Sequence, residues 1–217
     1  AAVIGGDLSG VVGEDATAPV TGTATVSDVY FEATFVTGTI VGAYGVFSIS
    51  EAGAWSYAVN AAATQSLADG ETAEDVLSIA AVDGAERDLT ITVTGEDDVP
   101  TVTGDLTGSV VEGADEVTVT GDLNVVDPDS GESSFVAGSV SGVYGDFEIE
   151  ADGGWTYSLD AGRSDRLAAG DVESDSFEVS TADGTTFTVA ITVTGADDPA
   201  VATGDGTATV LEDGGPA

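Results

Sequence analysis

Short runs in which every second residue is apolar follow one another along the chain. Trp155, Tyr157 and Leu159 alternate with Thr156 and Ser158, and Phe147 and Ile149 alternate with Asp146, Glu148 and Glu150. Phe187, Val189, Ile191 and Val193 share one side of a run whose other side is Thr186, Thr188, Ala190, Thr192 and Thr194. A period of two marks strands with one buried face. The Gly, Asp and Ser clusters between the runs supply turns. Residues 66–81 carry helix-start features, with Asp69 as a cap and Glu71 and Glu74 after it. The later equivalent has Gly170 and a Ser/Asp-rich stretch instead, so the expectation is loop followed by strand. About seven short strands in roughly a hundred residues predict an immunoglobulin-like sandwich.

The runs repeat. Phe35, Tyr44, Phe47, Ile49, Gly53, Trp55 and Tyr57 recur with the same spacing as Phe135, Tyr144, Phe147, Ile149, Gly153, Trp155 and Tyr157. Leu67, Gly70 and Asp83-Gly84 recur as Leu167, Gly170 and Asp183-Gly184, and Ile91-Thr92-Val93-Thr94-Gly95 returns unchanged as Ile191-Thr192-Val193-Thr194-Gly195. Gly6-Asp7-Leu8 resembles Gly104-Asp105-Leu106, and Gly204-Asp205-Gly206 opens a third unit. Self-similarity at this period predicts stacked units. We expect one sandwich over 1–98, a second over 99–198, and the start of a third over 199–217, as in a piece of a longer tandem array.

Tyr-Gly-x-Phe-x-Ile, the Gly-Trp-x-Tyr-like hairpin, Leu-x-x-Gly, Asp-Gly and the closing Ile-Thr-Val-Thr-Gly-x-Asp-Asp resemble the VCBS repeat, a cadherin-like module of large bacterial surface proteins and RTX-type adhesins. The linker departs from that pattern, with Asp97-Asp98 and Asp197-Asp198 where the family usually has Asn-Asp. The resemblance implies an all-β chain of two tandem immunoglobulin/cadherin-like β-sandwiches plus the first strand of a third. It also implies Ca2+ at the joint between repeats and a role as an extender in adhesion or biofilm proteins.

Strand parity places the acids independently of that resemblance. If each strand reverses direction, a first strand over about Val102–Val111 leaves Glu112 and Asp115 at the bottom of the second unit. The next strand delivers Asp127, Asp129 and Glu132 to the top. Strands near Phe135–Val140, at Asp146–Glu150 and at Trp155 alternate in turn, and the strand at Phe177 brings Asp183 to the top. Glu14 and Asp15 then come from the bottom of the first unit, Glu96, Asp97 and Asp98 from the linker, and Asp127, Asp129 and Asp183 from the top of the second. These eight acids are the candidate metal ligands, since calcium takes six to eight oxygens. The second joint has Glu112, Asp115, Asp197 and Asp198. Asp83 and Asp183 also suit plain Asp-Gly turns, and any charge run suits a solvated face. Asp127-Pro128-Asp129-Ser130-Gly131 lacks the closing Glu of an EF-hand. The first unit has Asp28-Val29-Tyr30-Phe31-Glu32 there, so its own top should bind a cation weakly or not at all. Tyr30 and Phe31 suit either an interface or a plug over the sandwich end.

Composition then removes most other chemistry. The 217 residues include 40 Asp or Glu, 3 Lys or Arg, and no His, Cys or Met, for a net charge of -37. Zinc sites of the usual kind, thiol nucleophiles, Ser-His-Asp triads and Schiff bases are excluded. Arg87, Arg163 and Arg166 cannot offset repulsion from phosphates, so nucleic acid and anionic membrane surfaces are poor partners. No apolar run is long enough for direct membrane insertion. Abundant carboxylate oxygen favours a hard cation, although acidity also suits a salt-rich habitat. Trp55, Trp155, Tyr57 and Tyr157 alternate with small polar residues and read as core, not as a sugar platform. The expectation is a calcium-stiffened structural repeat of a secreted or cell-surface adhesin or extracellular filament. Its partners would be neighbouring repeats and other copies of itself. A glycan- or protein-binding module and a polymer joined by strand donation are the alternatives, and no enzyme is expected.

Overall fold

In the computed structural model, which describes residues 1–29, 33–114 and 117–198, the alternating runs become strands in two sandwiches of identical topology. The first contains β1 (Val3–Gly6), β2 (Ser9–Gly13), β3 (Val20–Ser27), β4 (Gly38–Val41), β5 (Gly45–Ile49), β6 (Ala54–Val59), α1 (Ala61–Thr64), β7 (Thr72–Ala80) and β8 (Glu86–Thr94). The second contains β9 (Thr101–Gly104), β10 (Thr107–Val111), β11 (Thr118–Val126), β12 (Gly138–Ser141), β13 (Gly145–Ile149), β14 (Gly154–Leu159), α2 (Ala161–Ser164), β15 (Val172–Ser180) and β16 (Thr186–Thr194). A five-stranded sheet ordered β1-β3-β6-β5-β4 faces a three-stranded sheet ordered β2-β8-β7. The second unit repeats this as β9-β11-β14-β13-β12 over β10-β16-β15. Tyr30, Phe31, Asp115 and the expected third unit lie outside the described residues.

The first strand of each unit differs from the continuous run expected over Val102–Val111. It is two strands on different sheets: β9 pairs antiparallel with β11, and β10 pairs parallel with β16. The break falls at the repeated Gly-Asp-Leu. Gly104 has φ 115, a conformation open to glycine, and a Cβ there would strike the Asp122 carbonyl. The Trp155 indole N–H donates to the Asp105 carbonyl at 3.0 Å, and Trp55 does the same to Asp7 at 2.8 Å. The core tryptophan thus holds the crossing between sheets. The expected strand at Phe135–Val140 is likewise divided, because Phe135 bridges to Thr181 in one sheet while Gly138–Ser141 pairs with β13 in the other.

Parity assigns the cores correctly. Phe47, Trp55, Tyr57, Leu89, Ile91 and Val93 are buried in the first sandwich, and Phe147, Trp155, Tyr157, Val189, Ile191 and Val193 in the second. Residues 65–71 are loop and β7 follows, as expected. The short turns of helix at α1 and α2 lie upstream of the helix start considered at 66–81.

Two buried acids tie the sheets together. Asp175, on β15, accepts from the Val143, Tyr144 and Gly145 backbone N–H groups and from the Tyr157 hydroxyl at 2.7, 2.9, 3.2 and 2.8 Å. Asp75 accepts from Ala43, Tyr44 and Tyr57 in the same way at 2.7, 3.1 and 2.6 Å. Each carboxylate replaces lost water with donors from the loop before β5 or β13, so these buried charges are satisfied. Both tyrosine hydroxyls are pushed far above their ordinary value, by burial first and by the bonded carboxylate second.

Candidate metal centre at the junction

The end of β2 delivers Glu14 into the interior, where it is 1% exposed. Its Oε1 accepts from the Glu96 backbone N–H at 2.8 Å, which fixes the linker to the base of the first sandwich. Gly13 leaves space for the Glu96 carboxylate, which a Cβ would strike. Across the junction, the loop after β11 folds through Asp127, whose Oδ1 accepts from the Asp129 N–H at 2.9 Å. The Ser133 hydroxyl accepts from the Asp127 N–H at 3.0 Å and closes the loop. Asp129, 2% exposed, turns its Oδ2 to the Asp98 N–H at 2.9 Å. Ser130 N–H donates to the Ser66 carbonyl of the first sandwich at 3.2 Å. Linker backbone is therefore bonded to an acid on either side.

These bonds use one carboxylate oxygen each of Glu14, Asp127 and Asp129 and leave the other. Glu14 Oε2, Asp98 Oδ2, Asp127 Oδ2, Asp129 Oδ1 and Glu132 Oε2 are buried without a hydrogen-bond partner. Carboxylate atoms of Asp97, Asp129 and Glu132 also lie within 4.8 Å of one another. Burial pushes the carboxyl of Asp98 above its ordinary value, and the charges of Asp15, Asp129, Asp127 and Asp97 add to the shift. Glu132 is raised by burial and by Asp129, Asp127, Asp97 and Asp183, and Asp97 by burial and by Asp183, Asp129, Asp69 and Asp127. Glu14 is raised by burial, a shift its bond from Glu96 partly opposes and Asp129, Asp98 and Asp15 reinforce. Like-charged oxygens left without a partner in this way are destabilising unless a cation meets them.

Of the eight predicted acids, Glu14, Asp98, Asp127 and Asp129 present free buried oxygens, and Asp97 joins the close group around Asp129. Glu96 and Asp15 are exposed at the rim, where Asp15 Oδ1 accepts from the Gln65 amide at 3.1 Å. Asp183 is occupied by its own turn. It accepts from the Thr181 hydroxyl and from the Thr185 N–H and hydroxyl at 3.1 and 2.6 Å. Burial acts to raise its carboxyl, but those bonds outweigh it and hold the group low. Glu132 was brought to this end by parity but not counted among the eight. At the far end of the second sandwich, Glu112 is 4% exposed with Oε1 unpartnered, and its carboxylate lies close to those of Asp198 and Asp165. Asp165 was missed; its signal was the change from Gln65 to Asp165 between units.

Hard-cation ligation fits this donor set: all oxygen, mostly anionic, drawn from three segments, and five times buried without a partner. Sheets joined this way, with acids gathered where one unit meets the next, make the chain a tandem pair of β-sandwiches. Residues 97–195 match the family model of the bacterial cadherin-like domain. The fold is similar to Drosophila N-cadherin EC1-4, with a TM-score of 0.52, 11% identity, and coverage of 88% of this chain and 48% of that one. Protocadherin gammaB7 EC3-6, solved as a cis-dimer, gives 0.53, 13%, 91% and 48%. Protocadherin Gamma B2 domains 3-6 give 0.51, 12%, 89% and 47%. The chain spans about half the length of these structures, and at such identities the likeness is one of fold. No curated protein matches the sequence.

Proposed function

We propose that the chain is a calcium-stiffened extender: sandwiches over 1–98 and 99–198, followed by the start of another over 199–217, in a secreted or cell-surface bacterial adhesin or extracellular filament of the VCBS type. The observation that carries this reading is the convergence of five buried, partnerless carboxylate oxygens from the base of one sandwich, the linker and the top of the next. Glu14, Asp97, Asp98, Asp127, Asp129 and Glu132 would hold the cation, with Asp15 and Glu96 at the rim. Asp183, saturated by its turn, would act as a neighbouring charge. A bound divalent cation supplies the positive charge that cancels their repulsion. The chain's own part is to hold the linker against both sandwiches through Glu14 and Asp129. Metal-free, the same acids repel and the junction bends. Extracellular modules of this kind bind calcium with Kd of about 10⁻⁴–10⁻³ M, so the joint responds to calcium outside cells. Small-angle scattering in EDTA, in millimolar CaCl2 and in NaCl of matched ionic strength tests the reading. The expected result is an increase in maximum dimension in calcium alone. Equal profiles in CaCl2 and NaCl would reduce the acids to a screened surface.

A further inference from the structure

The two five-stranded sheets share a topology but not an outer surface. In the first sandwich, Thr21, Ser56, Ser48 and Thr39 stand side by side across β3, β6, β5 and β4, with Ser48 and Ser56 hydroxyls 2.9 Å apart. The adjoining row is Ala58, Val46 and Val41, and the two valines are 44% and 79% exposed. Among the described residues, no outward position on these five strands is charged or aromatic. The second sandwich carries Asp146, Glu148 and Asp122 at the equivalents of Val46, Ser48 and Thr23, and Glu150 at that of Ser50.

We infer that the uncharged outer face of β1-β3-β6-β5-β4 is an association surface for a second copy of this chain, sheet face against sheet face. Charge selects the occupant. Each copy carries -37, so two copies approach with least repulsion where the facing surfaces carry no charge. A cationic partner finds no anion on this face to pair with, and a saccharide finds no ring on which to stack. The same patch on both copies is self-complementary about a twofold axis. Five strands at about 4.8 Å spacing and about 17 Å long offer roughly 400 Å² per copy. That is about 800 Å² in total, below the roughly 1,200 Å² of stable complexes, so the contact is weak and concentration-dependent. In a tandem array, linked copies of a weak contact add by avidity.

Sedimentation equilibrium of the full chain, in EDTA at low and high NaCl, tests this independently of calcium at the junction. Wild type should self-associate, and more strongly at high salt, where the remaining charge is screened. Val46→Asp with Ser48→Glu and Ser50→Glu should lower the association constant at least tenfold. Because Arg163 holds Asp146 in the second sandwich and Ala63 stands in its place in the first, the melting temperature of the variant is measured alongside. Thr23→Asp, a single change copying Asp122, gives the same readout if the triple variant is unstable. Glu148→Ser with Glu150→Ser should strengthen association. A wild type that stays monomeric up to its solubility limit at high salt would overturn the inference, as would variants that associate like wild type.

Discussion

Asp129→Asn should change stability in opposite directions with and without calcium. Asp129 holds the Asp98 N–H through Oδ2 and leaves Oδ1 buried and unpartnered, close to Asp97 and Glu132. Asparagine keeps one acceptor for Asp98. It replaces the free anionic oxygen with an amide that donates to those neighbours. In EDTA the variant therefore loses repulsion and gains a donor, so its melting temperature should exceed that of wild type. In calcium, on the proposed function, it loses a ligand. With Kd of about 10⁻⁴–10⁻³ M and about 10 mM calcium, linkage stabilises wild type by about 1.4–2.7 kcal/mol. If both sandwiches melt together, that corresponds to a rise of roughly 3–11 °C, at about 2–4 °C per kcal/mol for a unit of this size. A tenfold weaker site forfeits about 1.0–1.3 kcal/mol, roughly half to seven-tenths of the rise. Differential scanning calorimetry of both proteins in EDTA, CaCl2 and matched NaCl reads all of these terms. If the variant melts below wild type in EDTA and keeps the full calcium response, Asp129 is a strut and not a ligand.

The raised carboxyls set the pH response. Glu14, Asp97, Asp98 and Glu132 hold protons more tightly folded than unfolded, so in EDTA denaturant stability should rise as pH falls from neutrality through their raised values. It should fall again below the ordinary carboxylate range, where Asp83, Asp146 and Asp183, all held low, become protonated. In saturating calcium protons must displace the cation, and the slope from neutrality downward should be reversed. Asp175→Asn turns an acceptor of four bonds into a group with two donors, one of them facing backbone N–H groups, and should cost about 2–4 kcal/mol in urea unfolding. A double-mutant cycle with Tyr157→Phe should give a coupling of about 1 kcal/mol or more. Trp155→Phe removes the bond to the Asp105 carbonyl and should cost about 1 kcal/mol beyond lost packing, measurable against Trp55→Phe as an internal replicate.

Much of the sandwich was legible because its strands have one wet face. Trp155, Tyr157, Phe147 and Ile149 could only point inward once Thr156, Glu148 and Glu150 pointed out. What parity could not show was a strand that changes sheets. A run from Val102 to Val111 has the same alternation whether it stays or crosses, and only Gly104 with Trp155 decides it. Parity also carried acids to the correct end of a sandwich, since direction alternates whichever sheet a strand occupies. It could not tell a free carboxylate from a satisfied one. Asp129 and Asp183 look alike in sequence, yet Thr181 and Thr185 saturate the latter, and only side-chain geometry distinguishes them. Asp75 and Asp175 were hidden for the same reason, because their partners are backbone N–H groups of a distant loop.

β2 lies beside β8, and β10 beside β16, in parallel. Within each sandwich the segment that brings the chain in and the segment that takes it out thus run in the same direction as immediate neighbours. Pulling a sandwich from its two termini drags these neighbours past each other lengthwise, so the five paired positions from Ser9 to Gly13 are loaded together. An antiparallel pair joined by a turn would instead open one bond at a time from its free end. A tether assembled from such units resists extension through this short ladder, and the stretches of load-bearing backbone are those that begin just after each Gly-Asp-Leu crossing.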